Sequence, residues 1–376
     1  MQKPIKIMVI FGTRPEAVKM APVVLELKKH PEKIETIVAV TAQHREMLDQ
    51  VLDVFRIVPD YDLHIMKERQ TLADITVKAL SGLDRIMKET QPDLVLVHGD
   101  TTTTFAASLA AFYNQIAIGH VEAGLRTGDK YSPFPEEMNR QLTGIMADFH
   151  FAPTKWAADN LLKENKRPEA IFVTGNTVID ALKTTVRNNY RHPVLEAVGK
   201  RKMVLMTAHR RENLGEPMRR MFRAVRRLVD EHADIAVVYP VHLNPAVREI
   251  AFATLGDHPR IHLIDPLGVI DFHNFMARAH LILTDSGGIQ EEAPTFGVPV
   301  LVLRDTTERP EGIEAGTLKL AGTSEENVYR LAKELLTDPA AYEKMAKAAN
   351  PYGDGHAAER IVKVLLEHYD GAKREK

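Results

Sequence analysis

The sequence predicts an α/β protein of two doubly wound domains, each a parallel sheet wrapped by helices. Three observations carry this. Short runs rich in Val, Ile and Leu alternate with longer segments of helical period, the alternation occurs twice along the chain, and 376 residues exceed the size at which one core usually stops growing. The first series of runs is IKIMVIF, ETIVAVT, DLVLVHG and IAIGHVE; the second is MVLMTAH, IAVVYPV, RIHLID, HLILTD and PVLVLR. The joint falls within PEAIFVTGNTVIDALKTTVRNNYRHPVLEAVGKRKM, where a basic, proline-containing stretch precedes Met203. We place an N-terminal domain at 1–172 and a C-terminal one at 173–355, with a terminal helix over about 356–370 folding back on the first.

Composition narrows the function classes. The chain is 44% hydrophobic and 27% charged with a formal net charge of -2, so no basic excess points to nucleic acid or an anionic membrane. It has no cysteine, which excludes disulfides, thiolate nucleophiles and Cys-ligated metal sites and fits a reducing, cytoplasmic setting. The apolar run before Arg14 is too short for a secretory signal, and no segment reaches the roughly 18 apolar residues of a membrane span.

In open parallel sheets, ligands bind beyond the carboxyl ends of the strands, so what each strand delivers there matters most. The first delivers FGTRPEAVKMAP, where Gly12 permits a tight turn and Pro15 suits the start of a helix. This leaves backbone N–H groups for an anion with Arg14 beside them, although a plain strand-to-helix turn accounts for the segment as well. The G-x-G-x-x-G spacing of a dinucleotide site is absent. LVLVHGDTTTT ends in His98, Gly99 and Asp100; either Asp100 or a threonine caps the next helix, or Asp100 is chemically active. HVEAGLRTG ends in Glu122, which helix-dipole complementation explains less easily than it does Glu137. SPFPEEMNRQL opens a helix with Glu136 and Glu137 in positions that complement its dipole.

In the second half, MVLMTAHRRENLG ends in His209 flanked by Arg210 and Arg211, a setting that biases the imidazole toward neutrality and suits a base or a phosphate donor; solvated surface charge is the alternative. LILTDSGGIQEEAP opens a helix at Ser286, Gly287 and Gly288, where two glycines let a phosphate approach the backbone. Glu291 and Glu292 follow on different faces, so one of them can accept hydrogen bonds from ribose hydroxyls. HPRIH lacks helical i, i+4 spacing, and no metal site is expected. Together these groups suggest acid–base chemistry on a group attached to a nucleotide diphosphate, bound between two domains.

The segments FGTRPEAVKMAP, TAQHREMLDQ, VHGDTTTT, GHVEAGLRTGD, PEEMNR, VTGNTVIDAL, TAHRREN, VHLNPAVRE, TDSGGIQEEAP and RDTTERPEG closely resemble the bacterial non-hydrolysing UDP-N-acetylglucosamine 2-epimerases, across nearly the whole chain. Val298, where many members carry Lys, and His356 in the PYGDG tail are departures remote from the acids.

The resemblance implies a glycosyltransferase B fold, two Rossmann-like domains facing across a cleft, and interconversion of UDP-GlcNAc and UDP-ManNAc through elimination of UDP to a bound 2-acetamidoglucal and its re-addition. By motif, Asp100, Glu122 and Glu136 look like the acid–base carboxylates and His209 like the essential histidine near the leaving phosphate. Arg14, Lys19, Ser286, Gly287, Gly288 and Glu292 look like UDP contacts. Gln43, Arg69, Arg210 and His242 resemble a site for a second, activating UDP-GlcNAc. The resemblance further implies a homodimer and no cofactor. A hydrolysing epimerase, a glycosyltransferase of the same fold and a non-catalytic sugar-nucleotide regulator are the competing readings.

Overall fold

The computed structural model describes residues 3–42, 45–67 and 70–372. Thirteen strands occur among them: β1 Ile5–Phe11, β2 Ile34–Val40, β3 Tyr61–Asp62, β4 Leu94–His98, β5 Ala117–Val121, β6 Phe149–Ala152, β7 Ile171–Val173, β8 Lys202–Thr207, β9 Ile235–Pro240, β10 Ile261–Ile264, β11 Leu281–Thr284, β12 Val300–Val302 and β13 Leu318–Leu320. They form two sheets, ordered β3-β2-β1-β4-β5-β6-β7 and β10-β9-β8-β11-β12-β13, with every pairing parallel. Parallel strands covered by helices on both faces are buried throughout, which is why β4 and β11 read as unbroken apolar runs. This two-sheet architecture is that of the glycosyltransferase B fold. No helix among the described residues is long and apolar enough to cross a membrane.

The chain divides into two compact units. The first runs to Thr184 and resumes at Tyr352, and the second spans Thr185–Pro351. The division therefore falls twelve residues beyond the sequence-based 172, because β7 pairs with β6 and the helix Thr177–Thr185 is tied to the chain's last helix, Ala357–Ala372. Asp180 makes that tie: its carboxylate accepts the backbone N–H groups of Ala357 at 3.2 Å and Ala358 at 2.9 Å, capping the final helix from a distant element. Asn176 N–H donates to the Tyr352 carbonyl at 2.7 Å alongside it. Ala357, Ala358, Ile361, Val362 and Leu365 are buried, and burying each Ile, Val or Leu contributes roughly 1.5–3 kcal/mol.

In each sheet the strand order reverses beside the first strand, between β1 and β4 in one unit and β8 and β11 in the other. There the connections leave in opposite directions and open a space at the carboxyl ends. The two switch points lie at the ends of the strands whose loops carry FGTRP and HGDT in one unit, and TAHRR and TDSGG in the other.

Candidate active site

In the first unit, Gly12 follows β1 because a side chain there has no room: a Cβ would lie 2.1 Å from Thr41 Oγ1 and 2.5 Å from Thr103 Oγ1. The sequence suggested backbone N–H groups free for an anion here, but those of Gly12 and Thr13 are already taken. Glu16, buried in the first turn of the helix Arg14–Leu27, accepts both at 3.1 and 2.8 Å, together with Thr13 Oγ1 at 2.7 Å. Its other oxygen accepts Thr101 Oγ1 at 2.8 Å and Thr104 Oγ1 at 3.1 Å. The carboxylate thus stitches the loop after β1 to the loop after β4. Arg14 sits half-buried beside it.

Thr101, not Asp100, caps the helix Thr102–Tyr113, accepting from Thr104 N–H at 3.1 Å. Asp100 is thereby released from a capping role, and its Oδ2 accepts a hydrogen bond from Arg140 Nη2 while Asn139 Nδ2 donates to its carbonyl at 3.0 Å. Arg140 and Asn139 both come from the helix Glu136–Met146. Arg140 also reaches fully buried Glu137, 3.4 Å away. Glu137 accepts Thr127 N–H at 3.1 Å, Gly128 N–H at 3.3 Å and Gln141 Nε2 at 2.9 Å, which moors the loop between Glu122 and Glu136 and adds to its place in the helix dipole. Half-buried Glu136, the neighbouring position, makes no hydrogen bond or ion pair with the described residues.

Glu122 is the most constrained of the acids. Its backbone φ is +62°, a left-handed conformation that costs a side-chain-bearing residue roughly 1–2 kcal/mol and recurs at functional sites. One carboxylate oxygen, Oε2, accepts from Lys19 Nζ and from Asn176 Nδ2 at 3.1 Å, and His98 Nε2 lies 3.6 Å from it. Burial pushes this carboxyl up, but the Lys19 ammonium and His98 more than offset that and hold it well below its ordinary 4.5. Behind it, burial takes His120 down to about 3, and its Nε2 pairs with the Gly99 carbonyl at 2.7 Å. Lys19, which the family pattern assigns to UDP, has its ammonium on Glu122.

In the second unit, the turn after β8 is fastened to the end of β11. Asp285, with no exposed surface, accepts the backbone N–H groups of His209 and Arg210, each at 2.8 Å, and Asn213 Nδ2 at 3.2 Å. His209 Nδ1 lies 3.2 Å from Asp285 Oδ1. The neighbour that matters to the imidazole is therefore this carboxylate and not the arginines adjacent in sequence. Arg210 turns its guanidinium to the Asp285 carbonyl at 3.3 Å and towards Glu308 at 3.6 Å, while the His242 ring stacks on His209 at 5.5 Å between centroids. Burial raises the Asp285 carboxyl, but His209 and the two amides outweigh it and the group sits below its usual range.

Ser286 precedes the helix Gly287–Glu292, its N–H donating to Thr284 Oγ1 at 3.0 Å. Gly287 makes room chiefly for protein: a Cβ would sit 3.1 Å from Arg309 Cζ and from Glu308 Oε1. At Gly288 the nearest atom would be Glu292 Oε1 at 3.7 Å, so that backbone is the more approachable one. The two acids separate as their different faces require. Glu291 is buried against Arg309, at 2.8 Å from both Nε and Nη2, whereas Glu292 is partly exposed with His273 Nε2 3.5 Å away. Gln43 and Arg69 lie outside the described residues.

Among groups holding the candidate site together that sequence reasoning passed over are Arg140, Asn176, Glu16 and Asp285. Only Asp285 left a local trace, as the acid between a buried strand and a Ser-Gly-Gly turn; the others depend on pairings across the fold.

Known proteins share this arrangement of chain. The family model described as UDP-N-acetylglucosamine 2-epimerase matches residues 25–366. The UDP-N-acetylglucosamine 2-epimerase of Bacillus subtilis is 71% identical over 373 residues, covering 99% of this chain and 98% of the relative. The Listeria monocytogenes structure described as a "putative UDP-N-acetylglucosamine 2-epimerase" superposes with a TM-score of 0.94 at 63% identity, covering 98% of each chain. The Neisseria meningitidis UDP-GlcNAc 2-epimerase, solved with UDP-GlcNAc bound, gives 0.87 at 50% identity, covering 96% of this chain and 100% of its own. With two parallel sheets, acids ending one pair of central strands and a histidine–aspartate turn joining the other, the chain belongs to the UDP-N-acetylglucosamine 2-epimerase family.

Proposed function

We propose that this protein interconverts UDP-GlcNAc and UDP-ManNAc without hydrolysis. A carboxylate takes the proton from sugar carbon 2 as the bond from carbon 1 to the UDP oxygen breaks, giving 2-acetamidoglucal and UDP. Re-addition of UDP at carbon 1 with protonation of carbon 2 from the other face completes the cycle. Asp100, Glu122 and Glu136 handle the proton, and His209, Ser286–Gly288, Arg14 and Glu292 hold UDP. Lys19 we reassign from UDP to Glu122.

The observation that carries this reading is Glu122, buried yet kept ionised by Lys19 and His98, one strand away from Asp100 with its own cation, Arg140. Two carboxylates on adjacent strand ends, each with a different cation, suit removal and return of a proton from different directions, and each such group contributes roughly 10²–10⁴-fold. Loss of UDP also needs donors ready for the charge that develops on the leaving oxygen, which suits His209 and the amides around Gly288. The UDP-GlcNAc bound in the Neisseria relative supports the substrate assignment.

The test is incubation of UDP-GlcNAc with the protein in heavy water, followed by NMR at carbon 2. Deuterium entering carbon 2 of both nucleotide sugars supports the reading. Free ManNAc as product replaces it with hydrolysis, and turnover without deuterium removes the elimination route. An activating second UDP-GlcNAc, with Arg210 and His242 among its contacts, belongs to the same proposal: initial rates from UDP-ManNAc alone should rise on adding traces of UDP-GlcNAc. We also take the protein to act in the cytoplasm as a homodimer, which light scattering in solution checks.

A further inference from the structure

The two oxygens of Asp285 have different duties. Oδ2 collects three donors, the His209 and Arg210 amides and Asn213 Nδ2, while Oδ1 finds no donor among the described residues except the approach of His209 Nδ1 at 3.2 Å. A fully buried carboxylate is expensive to leave unmatched, so the partner of the second oxygen is imposed by the fold. The same side chain fastens the backbone of His209 and lies against its ring.

We propose that Asp285 is the positioning residue for His209: it fixes the imidazole with Nδ1–H toward Oδ1, leaving Nε2 turned outward as the atom that meets the departing diphosphate. This rests on the role given to His209 above. A hydrogen bond on one ring nitrogen sets the tautomer and aims the other, as it does for ligating and catalytic histidines generally. In the doubly protonated ring Nδ1–H then faces the carboxylate and Nε2–H the leaving anion, so Asp285 balances the imidazolium charge that meets UDP and no bond to His209 need form or break; an amide in its place cannot balance that charge. The charged or titratable groups packed around the pair are Arg210, the stacked His242 ring, Glu308 beyond Arg210, and Tyr239, whose hydroxyl donates to the Ala208 carbonyl at 2.7 Å.

Asp285→Asn isolates the idea. Its amide oxygen can still accept the two backbone N–H groups, but its NH₂ then faces His209 Nδ1 and makes that nitrogen an acceptor, so the neutral ring carries its proton on Nε2. The expected results are three. With histidine ¹⁵N-labelled, the neutral His209 ring shows Nδ1–H in the wild type and Nε2–H in the variant. Turnover of UDP-GlcNAc falls by about 10²-fold or more while KM changes only a few-fold. The same substitution in a His209→Gln background causes little further loss, since residues acting as a unit are not additive. A neutral wild-type ring with its single proton on Nε2 and none on Nδ1 overturns the proposal; this measurement needs no variant, so the test holds even if Asp285→Asn folds poorly. An equal loss in both backgrounds overturns it as well. If the wild type does not epimerise UDP-GlcNAc at all, the proposed function fails, and the tautomer still decides the inference.

Discussion

Lys19→Met removes the ammonium from Glu122 and keeps the aliphatic stem. Among the described residues Glu122 then keeps Asn176 Nδ2 at 3.1 Å and His98 at 3.6 Å to support its charge. The side chains of Lys19 and Glu122 are 16% and 9% exposed, so solvent screens the pair little. Removing one partner of a buried pair costs roughly 3–5 kcal/mol. At about 2–4 °C per kcal/mol for a domain of this class, the unfolding midpoint should fall on the order of 10 °C near neutral pH. The pH dependence follows from the sign of the shift. In the wild type the folded carboxyl titrates below 4.5, so the pair's contribution is complete above that value and is lost as pH falls through the lower folded one. In the variant burial dominates, the folded carboxyl titrates above its ordinary value, and its penalty at neutral pH disappears once it protonates. The two proteins should therefore differ most at neutral pH and converge in acid. Thermal unfolding followed by circular dichroism between about pH 4 and 8 measures this. Lys19→Met/Glu122→Gln, which buries neither charge, should recover much of the loss. A variant as stable as the wild type at neutral pH, or a deficit independent of pH, refutes the assignment.

Four further outcomes are expected. Gly12→Ala drives a methyl into Thr41 Oγ1 and Thr103 Oγ1 and should cost about 1–3 kcal/mol in urea unfolding. Glu137→Ala strands the Thr127 and Gly128 amides; those two should exchange hydrogen faster than in the wild type, and unchanged protection there removes Glu137 as the mooring of that loop. Glu292→Gln should weaken UDP binding by roughly tenfold in calorimetry, the cost of a charge-assisted hydrogen bond, with unaltered affinity striking Glu292 from the UDP contacts. Asp180→Ala should destabilise by about 1–2 kcal/mol and raise exchange over residues 357–365, the end of the last helix that it caps.

Nine of the strands were legible in the sequence, most plainly those buried on both faces and therefore apolar along their length, as in LVLVH. β3, with two residues, is too short to show any period and exists through pairing with the longer β2, while β13, with three, rests on an equally short β12. Asp100 and Glu122 could be picked out as acids ending apolar strands. What they do could not, because it depends on partners distant in the chain: Lys19 lies 103 residues from Glu122, and Arg140 40 residues from Asp100. The charge environment of His209 shows the same limit in reverse. Adjacent arginines suggested one setting, and a carboxylate 76 residues away supplies another.

The helix Ala357–Ala372 completes a unit that began at the other end of the chain, with Asp180 as its cap and the helix Arg14–Leu27 among its packing partners. A ribosome making about 5–20 residues per second finishes the first stretch of that unit roughly 10–40 s before the helix emerges. During this interval the helix's seat stays bare while the whole intervening domain is synthesised and free to fold. Nascent chains of this protein should thus present chaperones with an unfinished first half and a finished second, an order of maturation opposite to that of synthesis.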